Sequence, residues 1–169
     1  MTTPMTTLIS LNADCLSRLD LSPVEAIARP WLTAGGLNAS SSDPTAELRL
    51  RFEIDFPREP DDPRELSEIP EVRLWFVRLD AHYPWLPLVL NWESGELTRY
   101  VAMLVPHQFS PQEGIQFNPE ALELFVMHKG FSCLHWMQQQ GNVNRNRIKF
   151  LTQMLGYELE DDFFDLLEA

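Results

Sequence analysis

Residues 48–56 read Leu48-Arg49-Leu50-Arg51-Phe52-Glu53-Ile54-Asp55-Phe56. Apolar side chains stand at every second position, with charged ones between them. A period of two belongs to a β-strand, whose successive side chains point to opposite faces. One face is greasy and the other charged, which predicts a strand covered on one side only, in an antiparallel or mixed sheet rather than a doubly covered parallel one. Immediately downstream, Pro57-Arg58-Glu59-Pro60-Asp61-Asp62-Pro63 holds three prolines and three acids. Proline has no N–H to give a ladder, so the chain must leave the sheet there.

The other strands are sought on either side. Thr6–Leu11 is short and rich in β-formers, and reads as an edge strand. Trp85–Leu90 and Leu97–Val105 are apolar stretches joined by Asn91-Trp92-Glu93-Ser94-Gly95-Glu96. Ser-Gly in a short polar connector reads as a turn, so a hairpin is the simplest solution, with Pro87 setting its first strand at an edge or bulge. The sheet is thus expected to hold three strands, or four with the N-terminal one.

Helices carry their own signals. Ser22, Pro23 and Glu25 supply an N-cap, a first-turn proline and a capping-box acid, which predicts a helix over 22–30 that Pro30 limits. Residues 35–46 have almost nothing to bury and read as a mobile loop. Residues 68–83 fit two periods. Val72, Trp75, Phe76, Leu79 and Tyr83 fall at helical spacing, whereas a strand would set Val72, Leu74 and Phe76 on one face. Prolines at both limits favour the helix. Asn118-Pro119-Glu120 opens a helix running to about Gln140, with Leu122, Phe125, Val126, Cys133, Trp136 and Met137 on one arc. Gly130 inside it costs about 1 kcal/mol of helix propensity and points to close backbone contact. Further helices are expected over 144–155 and around 163–167. Strands early and helices late predict an α+β fold, a single domain over 1–169 whose mostly antiparallel or mixed sheet of three to four strands is packed by C-terminal helices.

The chain has 169 residues, 13 Lys plus Arg against 25 Asp plus Glu, and a formal charge of -12. That balance repels phosphate backbones, and no basic stripe with interleaved aromatics exists, which sets nucleic-acid binding aside. No apolar run is long enough to span a bilayer, so membrane insertion is not expected and the chain reads as a cytoplasmic protein. Cys15 and Cys133 make neither a disulfide framework nor a four-ligand zinc site. The charge is blocked: residues 47–71 carry nine acids and four bases, 151–169 six acids and no base, and 119–150 two acids and four bases. The acidic stretch 156–169 is expected to fold back on the weakly positive element before it. Both acidic blocks read either as solvated faces or as docking surfaces.

Candidate chemistry is thin. His128 and His135 share a helix face but stand two turns apart, about 10.5 Å along the axis, too far to grip one ion. His107, in Val105-Pro106-His107-Gln108-Phe109-Ser110, is expected in a loop at a strand exit, where a side chain can serve function. A triad with Ser110 lacks the Gly-x-Ser-x-Gly elbow. The acid pairs at Asp61 and Asp62, Glu158 and Glu160, and Asp161 and Asp162 lack calcium-loop spacing. No phosphate-binding glycine loop is present, and no cofactor is expected. Five tryptophans and ten phenylalanines stand out. They serve core packing, or else Trp85 and Trp92 form a recognition patch beside the proline-acid loop.

The stretches Asp55–Ser67, Arg73–Asp80, Tyr83-Pro84-Trp85, Met103–Phe109 and Phe117–Leu122 resemble the sixth-numbered chlororespiratory-reduction family of cyanobacteria and chloroplasts, over residues 47–140. The resemblance implies a non-enzymatic assembly factor for the hydrophilic arm of the photosynthetic NDH complex of cyclic electron flow. Its implied partner is the iron-sulfur subunit or an assembly intermediate, met in the cyanobacterial cytoplasm or the chloroplast stroma. It brings no catalytic residue with it. The expected protein-binding residues are Asp61, Asp62, Glu65, Trp85, Trp92 and His107, with the loop 57–64 and the His107 segment forming one end of the sheet. A small hydrolase using His107 with nearby carboxylates is the alternative, and a structural subunit retained in the mature complex a third reading.

Overall fold

Strand β1 (Thr6–Asn12) and strand β2 (Arg49–Asp55) pair in parallel, with Ile9 beside Phe52 and Leu11 beside Ile54. The computed structural model describes residues 6–33 and 49–168. The expected loop over 35–46 and the first residue of the quoted stretch, Leu48, lie outside them. The one-sided pattern of β2 is present: Leu50 and Phe52 are buried while Arg51, Glu53 and Asp55 face solvent. The pairing direction differs from the expected antiparallel or mixed sheet. Helices α1 (Ala13–Arg18) and α2 (Ser22–Thr33) follow β1, and a chain that crosses over through helices returns to its sheet in parallel. Asn12 starts α1 by accepting the Cys15 N–H at 3.0 Å on its side-chain oxygen. Helix α2 runs past Pro30 to Thr33, since a proline removes only one helical bond there.

The predicted hairpin of residues 85–90 and 97–105 is absent. Leu86–Leu88 forms one 3-10 turn, and Glu96–Leu104 is a helix, α4. Leu97, Tyr100 and Val101 lie at i, i+3 and i+4, and that spacing buries them on one helix face against the strands and α3 (Pro70–His82). Gly95, at φ 79°, makes the left-handed entry that β-branched residues resist. Of the apolar stretch 85–90, the end alone pairs with the sheet: Leu90 bridges to Leu50, whose N–H donates to the Val89 carbonyl at 3.0 Å. The expected sheet of three to four strands is therefore two strands plus this bridge. A second pair, β3 (His107–Ser110) and β4 (Gly114–Phe117), forms an antiparallel hairpin. Its turn is held by Ser110 Oγ, which accepts from the Gln112 and Glu113 N–H groups.

Helix α3 settles the double reading of residues 68–83 as helical. It buries Val72, Trp75, Phe76 and Leu79 on the strands. Phe52 meets the edge of Phe76 at 5.5 Å and of Trp75 at 6.5 Å, and Phe76 continues to Tyr100 at 6.1 Å. Helix α5 (Pro119–Gln139) begins where Asn118 accepts the Glu120 and Ala121 N–H groups. It packs Leu122, Phe125 and Trp136 on the main core, and with α6 (Arg145–Met154) and α7 (Asp161–Glu168) forms a second core of Cys133, Leu134, Met137, Ile148 and Phe164. The acidic end folds back as its charge predicts: Arg145 holds Asp165 at 2.7 Å and also Glu168, and Lys149 holds Asp161 at 2.6 Å.

Candidate functional site

The three prolines of residues 57–63 carry the chain out of β2, and the end of this loop lines one cleft with Arg99 and Met103 of α4. Within this loop Asp62 binds Arg64 twice over, accepting its backbone N–H at 3.1 Å and its guanidinium at 2.7 Å. These bonds hold the Asp62 carboxyl down at about 2. Arg58 donates to the Arg64 carbonyl. The loop is thus closed on itself by alternating charge, and of its two adjacent aspartates Asp62 is neutralised while Asp61 stays exposed.

The loop then meets the β3–β4 hairpin. His107 lies in β3, not in a loop as expected, because the extended backbone of residues 107–110 pairs with 114–117. Its side chain is 2% exposed, with Nε2 2.8 Å from Glu65 Oε2 and 3.3 Å from Ser67 Oγ, and Nδ1 3.2 Å from the Val105 carbonyl. Together Glu65, Ser67 and His107 line a cleft of about 730 Å³ whose walls also include Arg58, Arg64, Arg99 and Met103. The structure therefore brings Asp62, Glu65 and His107 to one cleft.

The arrangement of these groups limits their chemistry. Glu65 and Ser67 both approach the same ring nitrogen, Nε2, while Nδ1 faces the Val105 carbonyl, whereas a serine nucleophile needs its base on one imidazole nitrogen and the acid on the other. Glu65, Ser67 and His107 form a clasp between the loop and the hairpin, with His107 and Ser67 buried and Glu65 partly exposed.

The tryptophans are separated. Trp85 is a core residue at 3% exposed, edge-on to Tyr83 and 6.3 Å from Trp136. The expected patch of two exposed indoles does not form, because the chain turns into the 3-10 helix and draws Trp85 inward. Trp92 is half-buried, donates to the Pro87 carbonyl at 2.9 Å and lies 5.1 Å from Phe150.

Two charged clusters escaped the sequence reading. Glu96, 3% exposed, accepts the Phe52 N–H at 2.9 Å, with Arg51 at 3.6 Å and Arg99 at 3.8 Å. Lys129, 1% exposed, is paired with Asp80, which also accepts from the Tyr100 hydroxyl, and its ammonium lies 5.6 Å from the Phe125 ring. Burial pulls Lys129 down to about 8. Its signal was in the spacing: Lys129 stands three residues after Val126 and four before Cys133, on the arc that packs inward.

A family model described as Chlororespiratory reduction 6 matches residues 11–166, well over half of the chain. No solved structure matches it. The chain belongs to the Chlororespiratory reduction 6 family, which ties it to chlororespiratory reduction and the NDH complex.

Proposed function

From that membership we propose that the protein is a non-enzymatic assembly factor of the photosynthetic NDH complex, and that it holds the iron-sulfur subunit of the hydrophilic arm during its incorporation. The family match over residues 11–166 carries this reading. The closed proline loop beside the His107 clasp supports it as the contact surface, because a pre-ordered loop loses little entropy on docking. Asp61 steers a basic client surface, Trp92 adds aromatic area, and Asp62, Glu65 and His107 keep the loop in shape. No described helix is long and apolar enough to cross a membrane, in keeping with action in the cyanobacterial cytoplasm or the stroma.

The test is a pull-down from cells blocked in NDH assembly, with the iron-sulfur subunit expected to co-purify. Asp61→Asn should slow association with that subunit and flatten its salt dependence. Absence of every NDH subunit from the eluate would reject the reading.

A second reading, a hydrolase built on His107, draws on the concave gathering of His107, Glu65 and Ser67. It requires turnover of ester substrates by the wild type that disappears in His107→Gln with the fold intact.

A further inference from the structure

The two edges of the β1–β2 sheet are treated differently. On the β2 side the outward backbone groups are closed. Leu50 donates to the Val89 carbonyl at 3.0 Å and accepts from the Asn91 N–H at 2.9 Å. Phe52 donates to Glu96 at 2.9 Å and accepts from Arg99 at 3.0 Å. Since Leu50 and Phe52 point away from β1, Arg51 and Glu53 point toward it. In a parallel ladder the residue in register with an inward-facing one faces outward. Leu8 is in register with Arg51 and Ser10 with Glu53, so the N–H and C=O groups of Leu8 and Ser10 face the far edge. Among the described residues nothing pairs with them.

That edge also lacks the usual protection. Exposed edges are normally guarded by lysine, proline, a bulge or an inward charge. Thr6-Thr7-Leu8-Ile9-Ser10-Leu11-Asn12 holds no charge and no proline, and Leu8 is 49% exposed. A row of free donors and acceptors recognises one kind of partner, an extended backbone that adds as a further strand.

We propose that the β1 edge binds an extended segment of the client polypeptide by strand addition, a second contact distinct from the cleft. This rests on the assembly-factor reading for the identity of the client. A second copy of the chain is a poor occupant, because each copy brings a formal charge of -12 and self-association works against that repulsion. The added segment carries an apolar residue beside Leu8, whose side chain stands exposed on the face it shares with Arg51 and Glu53.

The test uses the full chain with the purified iron-sulfur subunit. Hydrogen exchange on the isolated protein should find the Leu8 and Ser10 amides open and those of Ile9 and Leu11 protected. Adding the subunit should protect Leu8 and Ser10. Ser10→Pro removes an edge N–H and Leu8→Lys installs an edge guard, and each should weaken capture by about tenfold or more while thermal stability is kept. Should Ser10→Pro fail to fold, Leu8→Lys alone decides. Protected Leu8 and Ser10 amides in the isolated chain would mean the edge is already occupied, by this chain or by a second copy, and would overturn the proposal. Undiminished capture by the folded variants would overturn it while leaving the assembly reading intact. A wild-type chain that captures no NDH subunit removes that reading and the proposal together.

Discussion

The carboxylate of Glu96 accepts the backbone N–H of Phe52 across 44 residues of sequence, at 2.9 Å and out of reach of solvent. One side chain of α4 thereby does what a third strand would have done for β2, and the neighbouring Arg99 completes it by donating to the Phe52 carbonyl. Sheet and cleft are linked here, since Arg99 also lines the cleft together with Asp62 and Pro63 of the proline loop.

Glu96→Ala leaves the Phe52 N–H buried without an acceptor and is expected to cost about 1–3 kcal/mol, with Glu96→Gln costing less because it keeps one. Urea denaturation measures both. Equal midpoints for Glu96→Ala and wild type would show that edge closure adds nothing to stability.

Asp80→Ala strands the Lys129 ammonium in the core and should cost about 3–5 kcal/mol. The double change Asp80→Leu with Lys129→Met should recover most of that loss, because an apolar pair needs no desolvation. A loss below about 1 kcal/mol for Asp80→Ala would rule the pair out as a major tie between α3 and α5.

Asp62 should titrate near 2 by carboxyl NMR and return toward 3.8 in Arg64→Gln. Its folded value lies below the unfolded one, so its contribution to the closed loop is fully present above pH 3.8 and is lost as the pH falls through 2. An unchanged Asp62 titration in Arg64→Gln would contradict this account of the turn.

Cys133 is buried, its thiol donates to the Pro84 carbonyl at 3.2 Å, and burial pushes it up to about 12. Cys15 is partly exposed. A thiol reagent at pH 8 should therefore label Cys15 in the native protein and Cys133 only after unfolding. Rapid native labelling of both would place Cys133 in a segment that opens.

Gly130 meets α7 and the chain before it. A Cβ there would stand 3.7 Å from both Leu159 Cδ1 and Phe163 Cζ, ordinary contact distances. Gly130→Ala should accordingly raise stability by about 0.5–1 kcal/mol through helix propensity. A lowered melting temperature would mean that α5 and α7 need the glycine to approach.

Local signals proved legible where one residue and its near neighbours decide the outcome. The alternation over 50–56, the Asn118 cap, the helical spacing of Val72 to Leu79 and the return of the acidic end onto Arg145 and Lys149 all depend on short-range pattern or net charge. Residues 97–105 misled because their apolar content suits a strand as well as a helix. The choice was made by Tyr100 and Val101 packing on α3 and by Glu96 reaching β2, contacts between segments dozens of residues apart. Trp85 was misjudged for the same reason, since composition says nothing about which way a ring turns.

The amino-acid order alone determined the α+β class, the stiff break at Pro57–Pro63, the capped helices and the net charge of -12, because these follow from local sterics and composition. Tertiary structure decided that β1 and β2 run parallel, that side chains of α4 close one sheet edge while the other has no partner among the described residues, and that His107 joins Glu65 and Ser67 in a clasp. Each of these depends on groups distant in the chain meeting at hydrogen-bond distance, and no local pattern specifies such a meeting.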